Sequence, residues 1–357
     1  MKRFLKSIAL LVAMLMMVSV FTVACSQKAE EAKTSSESKK EEVKQEEPKK
    51  EESKKEEANK GLDWPKKTIQ IIVPFNPGGD TDFNARTYAK YLEKELGQSL
   101  VVVNVSGNGG TVGSRKVKDA KPDGYTVLFY HTAMQVNEAS GMVDYGFKDF
   151  EIAGIAAKNP GDIITVSKDS PYKTLKDLVE ASKKNPGQIK IAGNTGATTY
   201  LTGTMLNASG AQLNIVDSGG ATDRIAALKG GHIDAIPNPY GTVKPYLESG
   251  DFRALAVITE ERNPKFPDIP TAKEQGYDVV LPIAYFFAFP KGTPEEIVDK
   301  FSKAVEKIAT TNKEYAEAID KAYHQAPFYL NREEGYKWLD EQRNRIMALQ
   351  DKLILKK

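Results

Sequence analysis

The sequence predicts an α/β protein with two lobes, each a parallel or mixed sheet flanked by helices. Three observations carry this. Short β-branched runs alternate with longer helical patterns, as in sheets whose strands are joined by crossover helices. The strand-like runs fall into two groups, one before about residue 160 and one from there to about residue 283. A last strand and two helices have no third sheet to cover, so they are expected to return to the first group. Residues 63–160 and 284–357 then form domain 1 and residues 161–283 domain 2, joined by two segments that can act as a hinge. One continuous sheet of about ten strands is the competing layout, and it would be a large one.

In chain order, residues 1–25 have the parts of an export signal: Lys2, Arg3 and Lys6, an apolar run from about Ile8 to Val23, and small residues before Cys25. "TVAC" is similar to a bacterial lipobox, which makes Cys25 the expected lipidation site. An uncleaved membrane anchor is the alternative, since the apolar run is nearly long enough to span a bilayer. Cys25 is also the single cysteine, so no disulfide can form within the chain. Residues 26–62 are dominated by Lys, Glu, Ser and Ala. Such a stretch buries too little apolar surface to offset its ordering entropy and reads as a solvated tether reaching on the order of 100 Å. Its acidic and basic residues nearly cancel, which argues against an arm for nucleic acid or anionic lipid.

The globular part opens with the strand "TIQIIVPF", the helix "DFNARTYAKYLEKELG" ended by Gly97, and the strand "SLVVVNV". A glycine loop enters a helix in "SGNGGTVGSRKVKDA", and "YTVLFYH" is the next strand. "FEIAGIAA", "DIITVSK", "QIKIAGN", "QLNIVDS", "IDAIPN", "FRALAVI" and "AYFFAFP" read as further strands. Helical patterns lie in "TLKDLVEASKKN", "TTYLTGTMLNAS" and "TDRIAALKGG", then at 294–309 and 332–354.

Ligands of open parallel sheets sit beyond the carboxyl ends of the strands. Three loops of glycine and small polar residues fall there. The first contributes Phe75, Asn76, Gly78, Gly79, Asp80, Thr81 and Asp82. The second contributes Asn194, Thr195, Gly196 and Thr198, and the third Ser218, Gly219 and Gly220. His131 and Asn238, at the ends of their strands, complete the candidate ligand-binding set. Each loop leaves backbone N–H groups unpaired at a helix N-terminus, where about half a positive charge is concentrated. Together they read as an anion cradle made of backbone rather than of basic side chains. A β-branched residue at Gly79 is expected to abolish binding by resisting positive φ. Glycine turns at strand–helix junctions also serve purely steric ends, and Asp82 with Arg86 has the spacing of a helical ion pair.

Other chemistries are not indicated. The three histidines, His131, His232 and His324, lack metal-ligand spacing, and no metal or cofactor is expected. In "SGNGGTVG", Val112 stands where a dinucleotide fingerprint needs its third glycine. Neither a phosphate-binding G-x-x-x-x-G-K-[ST] loop nor a G-x-S-x-G nucleophile elbow is present. With 50 basic and 48 acidic residues, the chain carries no general excess that would favour nucleic acid.

"IIVPFNPGGDTDFNAR", "LGQSLVVVN", "GGTVGSRKVKDAKPDGYTVLF", "FRALAVITEERNPKFPDIPTAKEQGY" and "PKGTPEEIV" resemble the Bug-type extracytoplasmic receptors of tripartite tricarboxylate transporters. The resemblance runs from about Lys66 to the C-terminal helices. It implies a type II periplasmic-binding-protein fold and a monomeric, non-enzymatic receptor. Such a receptor closes on a small carboxylate and delivers it to a two-subunit membrane permease. It also implies that residues 76–82, 192–199 and 217–220 approach the ligand. Ala192 and Asn194 stand where that family commonly has serine and glycine, and Tyr200 where histidine is frequent. "VDSGG" replaces a sequence of the Val-Pro-Tyr-Lys-Gly type, and "AYFFAFP" lacks the usual Trp-x-Gly. Asp80 and Asp217, with that lysine missing, oppose a tricarboxylate, so a monocarboxylate, dicarboxylate or amino acid is expected instead. An exported α/β enzyme acting on a small anionic substrate, and a purely adhesive surface lipoprotein, are the competing functions.

Overall fold

The structure, a computed structural model, describes residues 62–353. The expected leader, the lipidation site Cys25 and the tether up to residue 61 lie outside the described residues.

The first sheet has the strand order β2-β1-β3-β10-β4, with β1 Ile69–Val73, β2 Leu100–Asn104, β3 Thr126–His131, β4 Phe150–Lys158 and β10 Ala284–Pro290. β1 runs parallel to β2 and β3, whereas β10 lies antiparallel between β3 and β4. Every residue of β10 is buried, as an interior strand covered on both faces requires. The second sheet has the order β7-β6-β8-β5-β9, with β5 Asp162–Ser167, β6 Lys190–Gly193, β7 Asn214–Asp217, β8 Ala235–Pro239 and β9 Phe252–Val257. β6 is parallel to β7 and β8, and β5 is antiparallel to β8 and β9. Both sheets are therefore mixed, and the chain passes between them at residues 159–161 and 258–283.

Helices cover the sheets. α1 (Asp80–Leu96) follows β1 and ends at Gly97, whose left-handed backbone (φ 68°) directs its N–H to the Glu93 carbonyl. α2 (Thr111–Lys118) precedes β3, and α3 (Ala133–Ala139) follows it. α4 (Leu175–Lys184), α5 (Thr198–Ala208), α6 (Ala221–Lys229) and α7 (Tyr240–Glu248) accompany the second sheet. α8 (Glu295–Thr311), α9 (Lys313–Tyr323), α10 (Arg332–Met347) and the single turn α11 (Gln350–Leu353) complete the described chain.

Three helices carry no readable signal in the sequence. Almost every residue of α3 is buried, so it has no polar face to mark a helical period. α7 contains Gly241 and Pro245, both of which argue against a helix. α9 is separated from α8 by Asn312 alone, whose side chain caps α9 by accepting from the Tyr315 N–H at 2.9 Å.

Candidate functional site

The loops after β1, β6 and β7 each end as the N-cap of a helix: Gly79 for α1, Ala197 for α5 and Gly220 for α6. Loops from the two sheets face each other across a narrow cleft. Asn76 Nδ2 donates to Asp223 Oδ2 at 3.3 Å, and a Cβ on Gly220 would stand 3.7 Å from the Asn76 Cβ. At the bottom lies a cavity of about 40 Å³. Of the sequence-predicted residues, Phe75, Asn76, Gly79, Asp80, Thr81, His131, Asn194, Thr198 and Gly220 line it. Thr195 and Gly219 line an adjoining crevice of about 250 Å³ that shares Phe75, Asn76, Asn194 and Gly220 with the cavity.

The cavity also contains side chains that the sequence did not single out, Arg224 and Asp162. Arg224 corrects the expectation of a cradle without basic side chains. It sits one turn into α6, is only 5% exposed, and is held at two points. Its Nε donates to Asn238 Oδ1 at 2.7 Å and its Nη1 to the Gly219 carbonyl at 2.8 Å. Nη2 has no partner among the described residues, and Arg224 lines the cavity. Asp162 opens β5 and is 2% exposed. One of its oxygens accepts from Asn159 Nδ2 at 2.8 Å, while the other has no partner among the described residues. Burial, then the nearby Asp80 carboxylate, push its pKa up to about 7, with Arg224 and Asn159 opposing.

Asp80 accepts a hydrogen bond from the Tyr285 hydroxyl through Oδ2. His131 stacks on Phe75 with ring centroids 5.0 Å apart. Burial lowers its pKa to about 4, with Asp80 opposing, so the ring is neutral at physiological pH. Because Nδ1 accepts the Ala133 N–H at 3.1 Å, the proton of the neutral ring resides on Nε2. That N–H has no partner among the described residues, and the ring borders the cavity. The cavity lining therefore combines donors, from Arg224, His131 Nε2–H and three helix N-termini, with the acceptor oxygens of Asp80 and Asp162.

The remaining sequence-predicted residues border neither the cavity nor the crevice. Gly78 and Asp82 shape the turn: the Gly78 N–H donates to Asp82 Oδ2 at 3.1 Å, and Asp82 also pairs with Arg86 at 3.0 Å. The positive φ expected at Gly79 is found at Gly78 (φ 85°), while Gly79 is extended at φ −87°. Gly196 gives its carbonyl to Asn137 Nδ2 at 2.7 Å, a bond between the two lobes. Ser218 Oγ reaches only the Val216 carbonyl, at 3.4 Å. Asn238 is fully buried and acts through Arg224, whose Nε it accepts while donating to the Ala221 carbonyl at 3.1 Å. Sequence reasoning passed over Arg224 because a single arginine inside a helical pattern, next to Asp223, reads as an ordinary solvated charge. Asp162, inside a strand-like run, gave no signal.

The model of the tripartite tricarboxylate transporter family receptor matches residues 84–355. The chain belongs to that receptor family. It is accordingly a solute-binding receptor of extracytoplasmic type and not an enzyme. A UPF0065 protein from the gbd 5′ region of Cupriavidus necator is 31% identical over 301 residues, covering 82% of this receptor and 90% of that protein. The structure of the periplasmic binding protein BugD is similar with a TM-score of 0.74 and 30% identity, over 81% of this receptor and 98% of that chain. MatC from Rhodopseudomonas palustris with bound malate is similar with a TM-score of 0.74 and 25% identity, over 80% and 100% of the two chains. The type II periplasmic-binding-protein-like fold expected from the sequence agrees with these neighbours. Among the described residues of the receptor, no group of three or more His, Cys, Asp or Glu is placed to hold a metal, and no helix is long and apolar enough to cross a membrane.

Proposed function

We propose that this receptor captures a small carboxylate between its lobes and delivers it to a tripartite tricarboxylate-type permease, while Cys25 holds it by lipid to the outer face of the cell membrane. The observation that carries the reading is a pair of donors, Arg224 Nη2 and His131 Nε2–H, that have no protein partner among the described residues, on two largely buried side chains lining a cavity where helix N-termini of both lobes meet. A carboxylate is the acceptor that suits a charged and a neutral donor placed together. The malate held by MatC, which has the same fold, supports the ligand class. With Asp80, Asp162 and Asp217 around the cavity and its adjoining crevice, a tricarboxylate meets more like charge than the one arginine offsets. The proposed ligand-contacting set keeps the sequence-predicted residues of the cavity and crevice and adds Arg224 and Asp162.

Binding draws the lobes together. Asn137 Nδ2 on Gly196 O and Asn76 Nδ2 on Asp223 Oδ2 are bonds that an opened receptor gives up, so ligand and lobe contacts stabilise the same closed state. A thermal-shift screen over mono-, di- and tricarboxylates and amino acids tests the reading. At least one small carboxylate or amino acid is expected to raise Tm, and to raise it more than citrate does. No response from any of them contradicts the receptor reading. Cys25→Ser is expected to move the protein from the detergent phase to the aqueous phase, and unchanged partitioning rejects the anchor.

A further inference from the structure

We propose that the cavity selects a ligand with an ammonium group beside its carboxylate, an amino acid, whose carboxylate meets Arg224 and His131 and whose ammonium lies between Asp80 and Asp162. This inference rests on the receptor reading and narrows it. A cavity of about 40 Å³ that must accept one carboxylate has two more in its own wall, against one guanidinium and a neutral imidazole. Both wall carboxylates are anchored through one oxygen, Asp80 by Tyr285 and Asp162 by Asn159, and their second oxygens have no donor among the described residues. An aliphatic carboxylate leaves those acceptors unsatisfied and adds like charge beside them. A hydroxyl supplies one donor and no charge. An ammonium supplies three donors and the missing positive charge. Arg224 feels the charge of both Asp162 and Asp80 but hydrogen-bonds neither among the described residues: its Nε and Nη1 bond Asn238 and Gly219, which leaves Nη2 for the ligand carboxylate.

The titration of Asp162 gives this arrangement a signature. Its carboxyl, with a pKa of about 7, is set by burial and by Asp80, with Arg224 and Asn159 opposing; Tyr285, the neutral His131 and, acting on Arg224, Asp217 and Asp223 are further ionisable side chains near it. An ammonium beside Asp162 favours its ionised form, so amino-acid affinity rises as pH increases from 5.5 to 8. A plain carboxylate favours the protonated form, so its affinity falls over the same range.

The test measures binding of the twenty amino acids, their 2-hydroxy acids and their deaminated acids to the full-length protein, by thermal shift and then by titration calorimetry. The tightest amino acid is expected to bind at least about tenfold more tightly than its hydroxy and deaminated counterparts, with affinity rising with pH. Asp162→Asn is expected to weaken that amino acid at least about tenfold and to leave or strengthen the deaminated acid. A deaminated or hydroxy acid that binds as tightly as its amino counterpart overturns the inference and leaves the receptor reading standing. Wild-type amino-acid affinity that is flat or falls with pH overturns it even if the variant does not fold. Failure of all three sets to bind removes the receptor reading, and this inference with it.

Discussion

Arg224→Met removes the one positive side chain of the cavity while keeping its length. The guanidinium makes bonds of 2.7 Å to Asn238 and 2.8 Å to Gly219, and presents Nη2 to the ligand. For the ligand, the loss is a charge-assisted hydrogen bond of about 1.5–3 kcal/mol, followed by the unopposed charge of Asp80 and Asp162. A total near 3 kcal/mol corresponds to a Kd raised on the order of 100-fold. For the fold, two hydrogen bonds to a charged group are lost, but a guanidinium that is 5% exposed no longer has to be desolvated. These terms oppose each other, and a net loss of about 1–2 kcal/mol lowers Tm by only a few degrees. Arg224→Lys keeps the charge but not the fork that reaches Asn238, Gly219 and the ligand together, so an intermediate loss of about tenfold is expected. Titration calorimetry with the tightest ligand of the panel gives Kd, and circular dichroism reports whether the fold persists. A folded Arg224→Met protein whose Kd stays within about threefold of wild type refutes this reasoning.

Asp162→Asn makes a pH-dependent stability prediction for the ligand-free receptor. The carboxyl has a pKa of about 7 in the fold against 3.8 ordinarily, so between those values the folded protein holds a proton that the unfolded chain has released. Stability therefore falls as pH rises from 3.8 to about 7, and a penalty of about 4 kcal/mol is fully present above that. The variant should match wild type in Tm near pH 4 and exceed it by several degrees at pH 8; equal Tm at pH 8 contradicts the assignment. The buried neutral His131 destabilises both proteins alike on acidification from pH 6.5, so it cancels from the comparison. Asn137→Ala removes the 2.7 Å bond to the Gly196 carbonyl and the 2.6 Å bond from the Tyr130 hydroxyl. A larger ligand-free radius of gyration by solution scattering and a weaker Kd are expected, and an unchanged radius argues against a latch. Gly78→Ala forces a side chain onto a φ of 85° with Thr222 Cγ2 at 3.4 Å, and should cost about 1–2 kcal/mol. Gly79→Ala, at φ −87° with its nearest neighbour 3.9 Å away, should leave Tm within about a degree.

The fold class was legible because its signals are local. "TIQIIV" and "AYFFAFP" are β-branched or aromatic runs of strand length, and α1 is closed by Gly97 in the left-handed conformation that such a terminus favours. The hidden helices show where local signals fail: α3 is set by burial on all sides, and α7 forms despite Pro245. The site divides in the same way. Glycine-rich turns at strand ends announce Gly79 and Gly220 without any long-range information. Arg224 and Asp162 were not legible, because what gives them meaning is distance in space. Arg224 gains its role only when Asn238, 14 residues on, fixes its Nε. Asp162 gains its role only when α1 brings Asp80 to the same cavity. The positive φ fell one residue from where it was expected, because the Gly78 N–H turns back onto Asp82 before the helix begins.

A crystal structure of the receptor with the tightest ligand of the panel tests the central claim most directly. The account predicts a ligand carboxylate within hydrogen-bond distance of Arg224 Nη2 and His131 Nε2, at the N-terminus of α1, with both lobes in contact. A ligand found elsewhere, for example in the groove beside Asn263 and Phe328, or a carboxylate turned away from Arg224, would contradict it.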